Sequence, residues 1–157
     1  MEKIMEKLIK ALNEDLEKEM AGIVRYLHHS FIVFGPNRGP LVQIFRTQAN
    51  ESMTHAIQLG EKITALGGHP TVKVEQVFEP GYQSIEDMLS EDLKAERTQL
   101  DLYTKQLKEF GDDNLPMKLM LEQIIIDETA HVEEIEKYLR TSNEELMMID
   151  GHQRRRG

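Results

Sequence analysis

The sequence predicts an all-α fold, a four-helix bundle made of two antiparallel helix hairpins joined by a long crossover. Apolar residues recur every three or four positions along four segments, as on the buried face of an amphipathic helix. Short breaks containing Gly and Pro separate the first segment from the second and the third from the fourth, which places each pair side by side. A longer segment lies between the pairs. We predict one domain over residues 1–140 and a tail over 141–157.

The first hairpin is predicted from two long amphipathic segments. The first helix covers residues 2–34 and stops at Gly35, because the Gly-Pro pair there ends a helix. The second helix covers about 39–67 and runs back beside the first, because the connection is short. Gly67 is suited to the C-terminal cap of this helix.

The second hairpin follows a crossover over residues 69–83, which contains two prolines, a glycine and several valines and has no helical period. Ser84 begins a capping box that has Asp87 in the position where Glu or Gln is usual. It opens a third helix over 84–110. After a short Gly- and Asp-rich break, the fourth helix runs to about residue 140.

Composition limits the chemistry of the chain. There are 28 acidic and 19 basic residues, giving a formal charge of −9, which argues against a general nucleic-acid binder and suits a protein that handles cations. The absence of cysteine excludes disulfides, thiolate zinc sites and iron–sulfur clusters. Any metal must therefore be held by carboxylates and imidazoles, which suit iron, manganese or zinc.

The ends of the chain carry no membrane signal. The N-terminus is charged throughout, without the apolar block of a signal peptide, and no stretch approaches 18 uncharged apolar residues. We therefore expect no membrane partner and a cytoplasmic location. The tail is predicted to hold a short helical turn and then a loose basic end at Arg154–Arg156, which is a solvated tail rather than a nucleic-acid site.

A set of acidic residues and histidines recurs across the two halves of the chain. Two lone glutamates lie 77 positions apart, two further glutamates also lie 77 apart, and two histidines lie 76 apart. Each half thus brings one helix with a Glu and one with a Glu and a His, which is the layout of a dinuclear metal site in a bundle. The members of the set are Glu19, Glu51, His55, Glu96, Glu128 and His131.

Several of these polar residues interrupt apolar stripes. Glu19, Glu96 and Glu128 lie three or four positions from inward apolar residues, and His131 lies four positions before Ile135. Burying a carboxylate without compensation is costly. A shared pair of metal ions would compensate all of them, although each residue taken alone is more often a solvated glutamate or a packed histidine.

With these residues the chain resembles the bacterioferritins, within the ferritin-like superfamily, over nearly all of residues 4–140. The resemblance rests on one motif from each predicted helix. These motifs are Glu19-Met-Ala-Gly-Ile-Val-Arg-Tyr26, His55-Ala with Glu61-Lys-Ile-x-x-Leu-x-Gly-x-Pro70, Met88-Leu-Ser-Glu-Asp-Leu-Lys-Ala-Glu96, and Asp127-Glu-x-x-His131.

The resemblance implies a ferroxidase centre with two iron ions per subunit. Fe(II) would be oxidised there by oxygen or hydrogen peroxide and stored as Fe(III) mineral inside a homo-oligomeric shell. It implies terminal ligands at Glu19 and Glu96, a bridging ligand at Glu128, and one nitrogen ligand each from two histidines. Those histidines are His55 and His131. Tyr26 would lie beside the metals as a supporting or redox group.

The chain departs from the family pattern on the second helix. The family carries Glu three positions before the histidine, where this chain has Ser52, and Glu51 stands four positions before His55. Glu51 shares the helix face and could still bridge the metals, especially across a π-bulge. We favour this bridging role, because of the 77-residue match to Glu128 and the charge that two ions require. Otherwise the second bridge is missing, and the site binds iron weakly, holds one metal or is inactive.

The resemblance also implies haem b held between two subunits by one methionine from each, and Met53 occupies that position. It is predicted on an outer face of the second helix, although methionine also fills interfaces without binding anything. That face is predicted to include Arg46, Ala49, Asn50, Ala56, Ile57 and Gly60. Two alternatives to iron storage stay open: a miniferritin- or rubrerythrin-like diiron oxidase or peroxidase without storage, and a subunit with a degenerate metal site.

Overall fold

The computed structural model describes residues 2–140, which form four α-helices. The helices are α1 (Glu2–Ile32), α2 (Arg38–Ala65), α3 (Ile85–Phe110) and α4 (Leu115–Leu139). The predicted all-α bundle is confirmed, and each helix end for which the sequence predicted a residue lies within two residues of that place. The predicted helical turn and basic end of the tail lie outside the described residues.

The helix ends follow from local capping chemistry. The Ser84 side chain accepts a hydrogen bond of 3.1 Å from the Asp87 amide, so Ser84 is the N-cap of α3, as the sequence predicts. Asn114 does the same for α4 by accepting from the Met117 amide. At the end of α2, Gly67 has a φ of +80°, which favours glycine, and the Gly68 amide returns to the Ile63 carbonyl.

The crossover between the hairpins lies along α1. The Thr71 amide donates to the Asn13 side chain at 2.7 Å, and the Glu75 amide donates to the Glu17 carbonyl at 3.2 Å. Lys18 pairs with Glu75 at 2.6 Å. These bonds hold the crossover against α1 and lead the chain to the start of α3. Within the bundle, α1 packs against both α2 and α3.

Two apolar clusters fill the bundle, one toward each end. The first gathers residues such as Leu12, Leu59 and Leu121, and the second gathers residues such as Phe45 and Met88. The helical positions between them carry buried polar side chains instead of apolar ones. This polar layer is the place where the candidate site forms. No helix within residues 2–140 combines the length and the apolar character that a membrane span requires.

Candidate metal centre

The polar layer brings five of the predicted site residues together. They form two groups, Glu19 with His55 and Glu128, and Glu96 with Glu128 and His131. In each group one ligand atom from every residue lies within 4.8 Å of the others. All five residues are buried. Glu128 belongs to both groups and therefore lies between them, which is the position that a bridging carboxylate needs.

The imidazole of His55 has its two nitrogens in different surroundings. Nδ1 lies 3.0 Å from Oε1 of Glu128 and 3.3 Å from Oε1 of Glu19. Nε2 lies 3.1 Å from Oδ2 of Asp127, the residue next to Glu128 on α4. Nδ1 therefore faces the buried carboxylates, and Asp127 orients the ring from the other side.

The imidazole of His131 is arranged in the same manner. Its Nε2 lies 2.7 Å from Oε2 of Glu51, whose side chain is partly exposed on α2. This contact leaves Nδ1 as the nitrogen available to a metal. Glu51 belongs to neither buried group; it clusters with His55 and Asp127 at the edge of the site. The π-bulge that would bring Glu51 inward is not present, since α2 is a continuous α-helix. Its bridging role stays a prediction.

Ser52 occupies the inward position beside Glu51. Its side chain is 7% exposed and lies close to α1 at Gly22, where an added Cβ would come within 3.0 Å of the Ser52 hydroxyl. The position three residues before His55 thus points into the bundle. It carries a hydroxyl where Glu128, at the matching place on α4, carries a carboxylate.

Two buried tyrosines hold the two lone glutamates. Tyr26 on α1 donates its hydroxyl proton to Glu96 on α3, and Tyr103 on α3 donates to Glu19 on α1 at 2.8 Å. Sequence reasoning proposed Tyr26 and missed Tyr103, although Tyr103 lies 77 positions after Tyr26, the same offset that relates the glutamates. Asp127 was also missed as a partner of His55.

Burial and the facing carboxylates together set the protonation of the site. Burial raises the pKa of Glu19, and the nearby His55 imidazole and the hydrogen bond from Tyr103 offset part of the rise. Burial also raises the pKa of Glu96 well above its usual range, and the neighbouring Glu128 raises it further. For His55 burial lowers the pKa, but the carboxylates of Glu128, Glu19 and Asp127 outweigh this and raise it to about 11. Without metal, the site therefore retains protons.

The donor atoms fit a pair of divalent ions. Within residues 2–140, Nδ1 of His55 and Oε2 of Glu128 are buried and make no hydrogen bond. Buried polar atoms are normally paired, so atoms of this kind indicate a ligand. Carboxylate oxygens and imidazole nitrogens without sulfur suit iron, manganese or zinc. The residues present therefore fit the dinuclear iron site that the resemblance implies.

A buried ion pair lies beside Tyr26. Nε of Arg25 donates to Oδ1 of Asp92 at 2.8 Å, and Nδ1 of His29 lies 3.1 Å from Oδ2 of the same carboxylate. Asp92 is fully buried. The positive charge of Arg25 lowers the pKa of Glu96 and offsets part of the negative charge of the site.

The predicted outer face of α2 is partly wrong. Met53 and Ile57 are exposed, at 47% and 59%, as predicted. Ala49 and Ala56 are buried instead, because they continue the inward stripe of Ser52 at three- and four-residue steps. Ala56 joins the first apolar cluster and Ala49 the second.

A family model of the ferritin-like domain matches residues 9–144. The chain belongs to the ferritin-like family. The predicted resemblance is thereby confirmed at the level of the family, and the match covers nearly all of the four-helix bundle.

Individual proteins of known name are similar to this chain. A bacterioferritin of Desulfovibrio desulfuricans is 29% identical over 129 residues, which are 80% of this chain and 70% of that protein. A nutrient stress-induced DNA-binding protein of Nostoc sp. is 28% identical over 105 residues, 62% of this chain and 57% of that protein. A ferritin-like, diiron-carboxylate protein of Bacillus anthracis str. Ames is 32% identical with a TM-score of 0.82, covering 87% of this chain and 97% of that one.

Proposed function

We propose that this ferritin-like protein oxidises Fe(II) at the dinuclear centre of the bundle and stores Fe(III) within an oligomeric shell. The observation that carries the proposal is the pair of buried ligand groups that share Glu128. Glu19 and His55 hold one iron, Glu96 and His131 hold the other, and Glu128 lies between them. The similarity to a bacterioferritin and to a diiron-carboxylate protein supports iron as the metal.

The reaction takes its electrons from the iron substrate. Two Fe(II) ions each lose one electron, and one molecule of oxygen takes both together with two protons to give hydrogen peroxide. Hydrogen peroxide as the oxidant would take two electrons and two protons to give two molecules of water. The side chains hold the two ions close together, so that both electrons are available to one oxidant molecule. Tyr26 and Tyr103 keep the terminal carboxylates in place.

Storage requires an assembly that encloses the oxidised product. The acidic balance of the chain, with a charge of −9, suits a surface that attracts Fe(II) before oxidation and binds Fe(III) after it. The exposed apolar side chains of Met53 and Ile57 on α2 supply a contact face for a second copy. We assign this face to a two-fold contact within the shell.

The central test is oxidation of Fe(II) by the purified protein under air, followed by absorbance of the Fe(III) product and by oxygen consumption. Glu128→Gln removes the shared carboxylate charge and should slow oxidation by on the order of 100-fold or more. Glu133→Gln alters an exposed glutamate on the same helix and is the matched control. Equal rates for Glu128→Gln and the parent, at equal folded content, would contradict the proposal.

Ser52 supports a second candidate, a subunit whose metal centre is degenerate. With a hydroxyl at this position, the two buried ligand groups contain three carboxylates, those of Glu19, Glu96 and Glu128. Iron content after aerobic loading separates the candidates, because a degenerate subunit retains no iron. Light scattering then separates a storage shell from a small diiron oxidase or peroxidase that stores nothing.

A further inference from the structure

The two halves of the bundle are related by two different sequence offsets. Between α1 and α3 the offset is 77, which relates Glu19 to Glu96 and Tyr26 to Tyr103. Between α2 and α4 the histidines give an offset of 76. The two offsets differ by one residue. The choice between them decides which residue of α4 is the counterpart of Glu51 on α2.

The side-chain contacts follow these offsets. The bond from Tyr26 to Glu96 has its reciprocal in the bond from Tyr103 to Glu19. The contact of His55 Nε2 with Asp127 has its reciprocal in the contact of His131 Nε2 with a carboxylate on α2. The bundle thus has an internal two-fold relationship, expressed in contacts as well as in residue types.

With the offset of 76, Glu51 is the counterpart of Asp127, and Ser52 is the counterpart of Glu128. Their burial agrees, since Glu51 and Asp127 are both partly exposed while Ser52 and Glu128 are both buried. The 77-residue match between Glu51 and Glu128 therefore relates two residues that occupy different positions around the site.

We infer that Glu51 is a positioning residue that holds His131 by its outer nitrogen, as Asp127 holds His55, and that α2 supplies no counterpart to the bridging carboxylate of Glu128. The inference rests on the proposed dinuclear centre and specifies how it is built. A carboxylate on the outer nitrogen fixes the ring orientation and the tautomer, and it raises the basicity of the nitrogen that faces the metal.

The arrangement has a consequence for charge. Three buried carboxylates carry three negative charges, whereas two divalent ions carry four positive charges. The first ion displaces the protons that the metal-free site retains and balances most of the carboxylate charge, so the second ion enters a site with little negative charge left. We expect the second ion to bind at least about 10-fold more weakly than the first, with mutual repulsion between the ions contributing. A carboxylate at position 52 would reduce this difference.

The test uses Co(II), whose visible absorption reports ligand geometry, titrated into the full chain under argon. Glu51→Ala and Asp127→Ala should each weaken binding by about 10- to 100-fold while two ions still bind at saturation. Glu51→Asp should bind Co(II) with an affinity within a few-fold of the parent, because the aspartate at the equivalent position 127 makes the same contact with a histidine. Glu61→Ala, an exposed change on the same helix, is the matched control.

Two outcomes of the Co(II) titration of Glu51→Ala would overturn the inference. One is the loss of a full equivalent of Co(II) in Glu51→Ala without rescue by Asp, which would make Glu51 a direct ligand. The other is an affinity for Glu51→Ala equal to that of Glu61→Ala. For Ser52→Glu we expect the affinities of the first and second Co(II) ions to become similar. An unchanged difference between the two affinities would contradict the absence of a bridging carboxylate on α2.

A metal-free measurement separates this inference from the proposed function. In the ¹⁵N spectrum of histidine-labelled protein, Nε2 of His131 should carry the proton and shift when Glu51 is replaced by Ala, while the Glu61→Ala spectrum stays unchanged. Absence of Co(II) binding by the parent would refute the dinuclear centre but leave this result standing. An unshifted Nε2 in Glu51→Ala would refute the Glu51–His131 pair itself.

Discussion

Tyr103 on α3 donates a hydrogen bond of 2.8 Å to Glu19 on α1, and Tyr26 on α1 donates to Glu96 on α3 in return. Each lone glutamate of the site is thus held by a phenol from the other hairpin. Burial is the larger cause and the neighbouring carboxylate the second, Glu96 for Tyr26 and Glu19 for Tyr103, of a pKa well above the usual value for both tyrosines. Both phenols therefore stay protonated and can donate. The pair ties the two hairpins together at the candidate metal site.

Removal of the Tyr103 hydroxyl should therefore lower the stability of the folded protein. Tyr103→Phe leaves a buried Glu19 without one of its donors, which should lower the free energy of unfolding of the metal-free protein by about 1–3 kcal/mol. Urea unfolding measures this change, and Tyr26→Phe should behave alike because its bond is the reciprocal one. Tyr138→Phe, on an exposed tyrosine of α4, is the control and should change stability by a few tenths of a kcal/mol.

Asp15, which is not itself one of the candidate ligands, gives a prediction about the pH dependence of stability. Its side chain is fully buried, and neither oxygen makes a hydrogen bond within residues 2–140. Burial raises the pKa of this carboxyl from 3.8 to about 7; the Gln106 amide and Lys18 lower it, while Glu19 and Glu14 raise it. Between pH 3.8 and about pH 7, the Asp15 carboxyl therefore holds a proton in the folded protein that it has lost in the unfolded chain.

The stabilising effect of that proton is complete below about pH 4 and is lost as pH rises to about 7. Asp15→Asn removes this dependence. Chemical unfolding of the metal-free variant should match the parent near pH 4 and show greater stability near pH 8, by up to about 4 kcal/mol. The exposed change Asp101→Asn is the control. A difference from the parent that is constant across this range would refute the shifted titration.

The outer face of α2 gives a prediction about assembly. Nothing lies within 4 Å of a Cβ added at Gly60, so a larger side chain fits the isolated subunit. In the proposed two-fold contact, Gly60→Leu would push the two copies apart, because the added side chain projects into the partner. Light scattering should show a smaller particle, and circular dichroism should show an unchanged helix content. A particle of parental size would place the contact elsewhere.

Haem binding is tested at Met53. The thioether is half exposed on the outer face of α2, where a haem between two copies could take one methionine from each. If the assembled parent binds haem b, its Soret band should shift from that of free haem to that of a bis-methionine complex, and Met53→Leu should abolish the shift. Met5→Leu, at an exposed methionine of α1, is the control. A spectrum that survives Met53→Leu would exclude Met53 as the ligand.

The bundle itself could be predicted because its causes are local in sequence. Apolar periodicity, the Ser84 cap and the Gly67 terminus each act within a few residues, and the length of the crossover limits how the hairpins are joined. The ligand residue types could also be found, because buried carboxylates interrupt an apolar stripe in a way that a linear pattern shows. Sequence alone thus determined the four helices, their pairing and the set of candidate ligands.

The position of each candidate ligand around the site was decided by tertiary structure. The offset of 77 between Glu51 and Glu128 predicted that Glu51 bridges two metal ions. However, neighbouring helical residues such as Glu51 and Ser52 point about 100° apart, so that when one lies on the inner face of the helix the other lies at the edge of that face. Only the packed helices show that Glu51 reaches His131 from outside and that Ser52 takes the inward place. The reciprocal bond of Tyr103 likewise spans 84 residues and exists only because α1 and α3 pack in opposite directions.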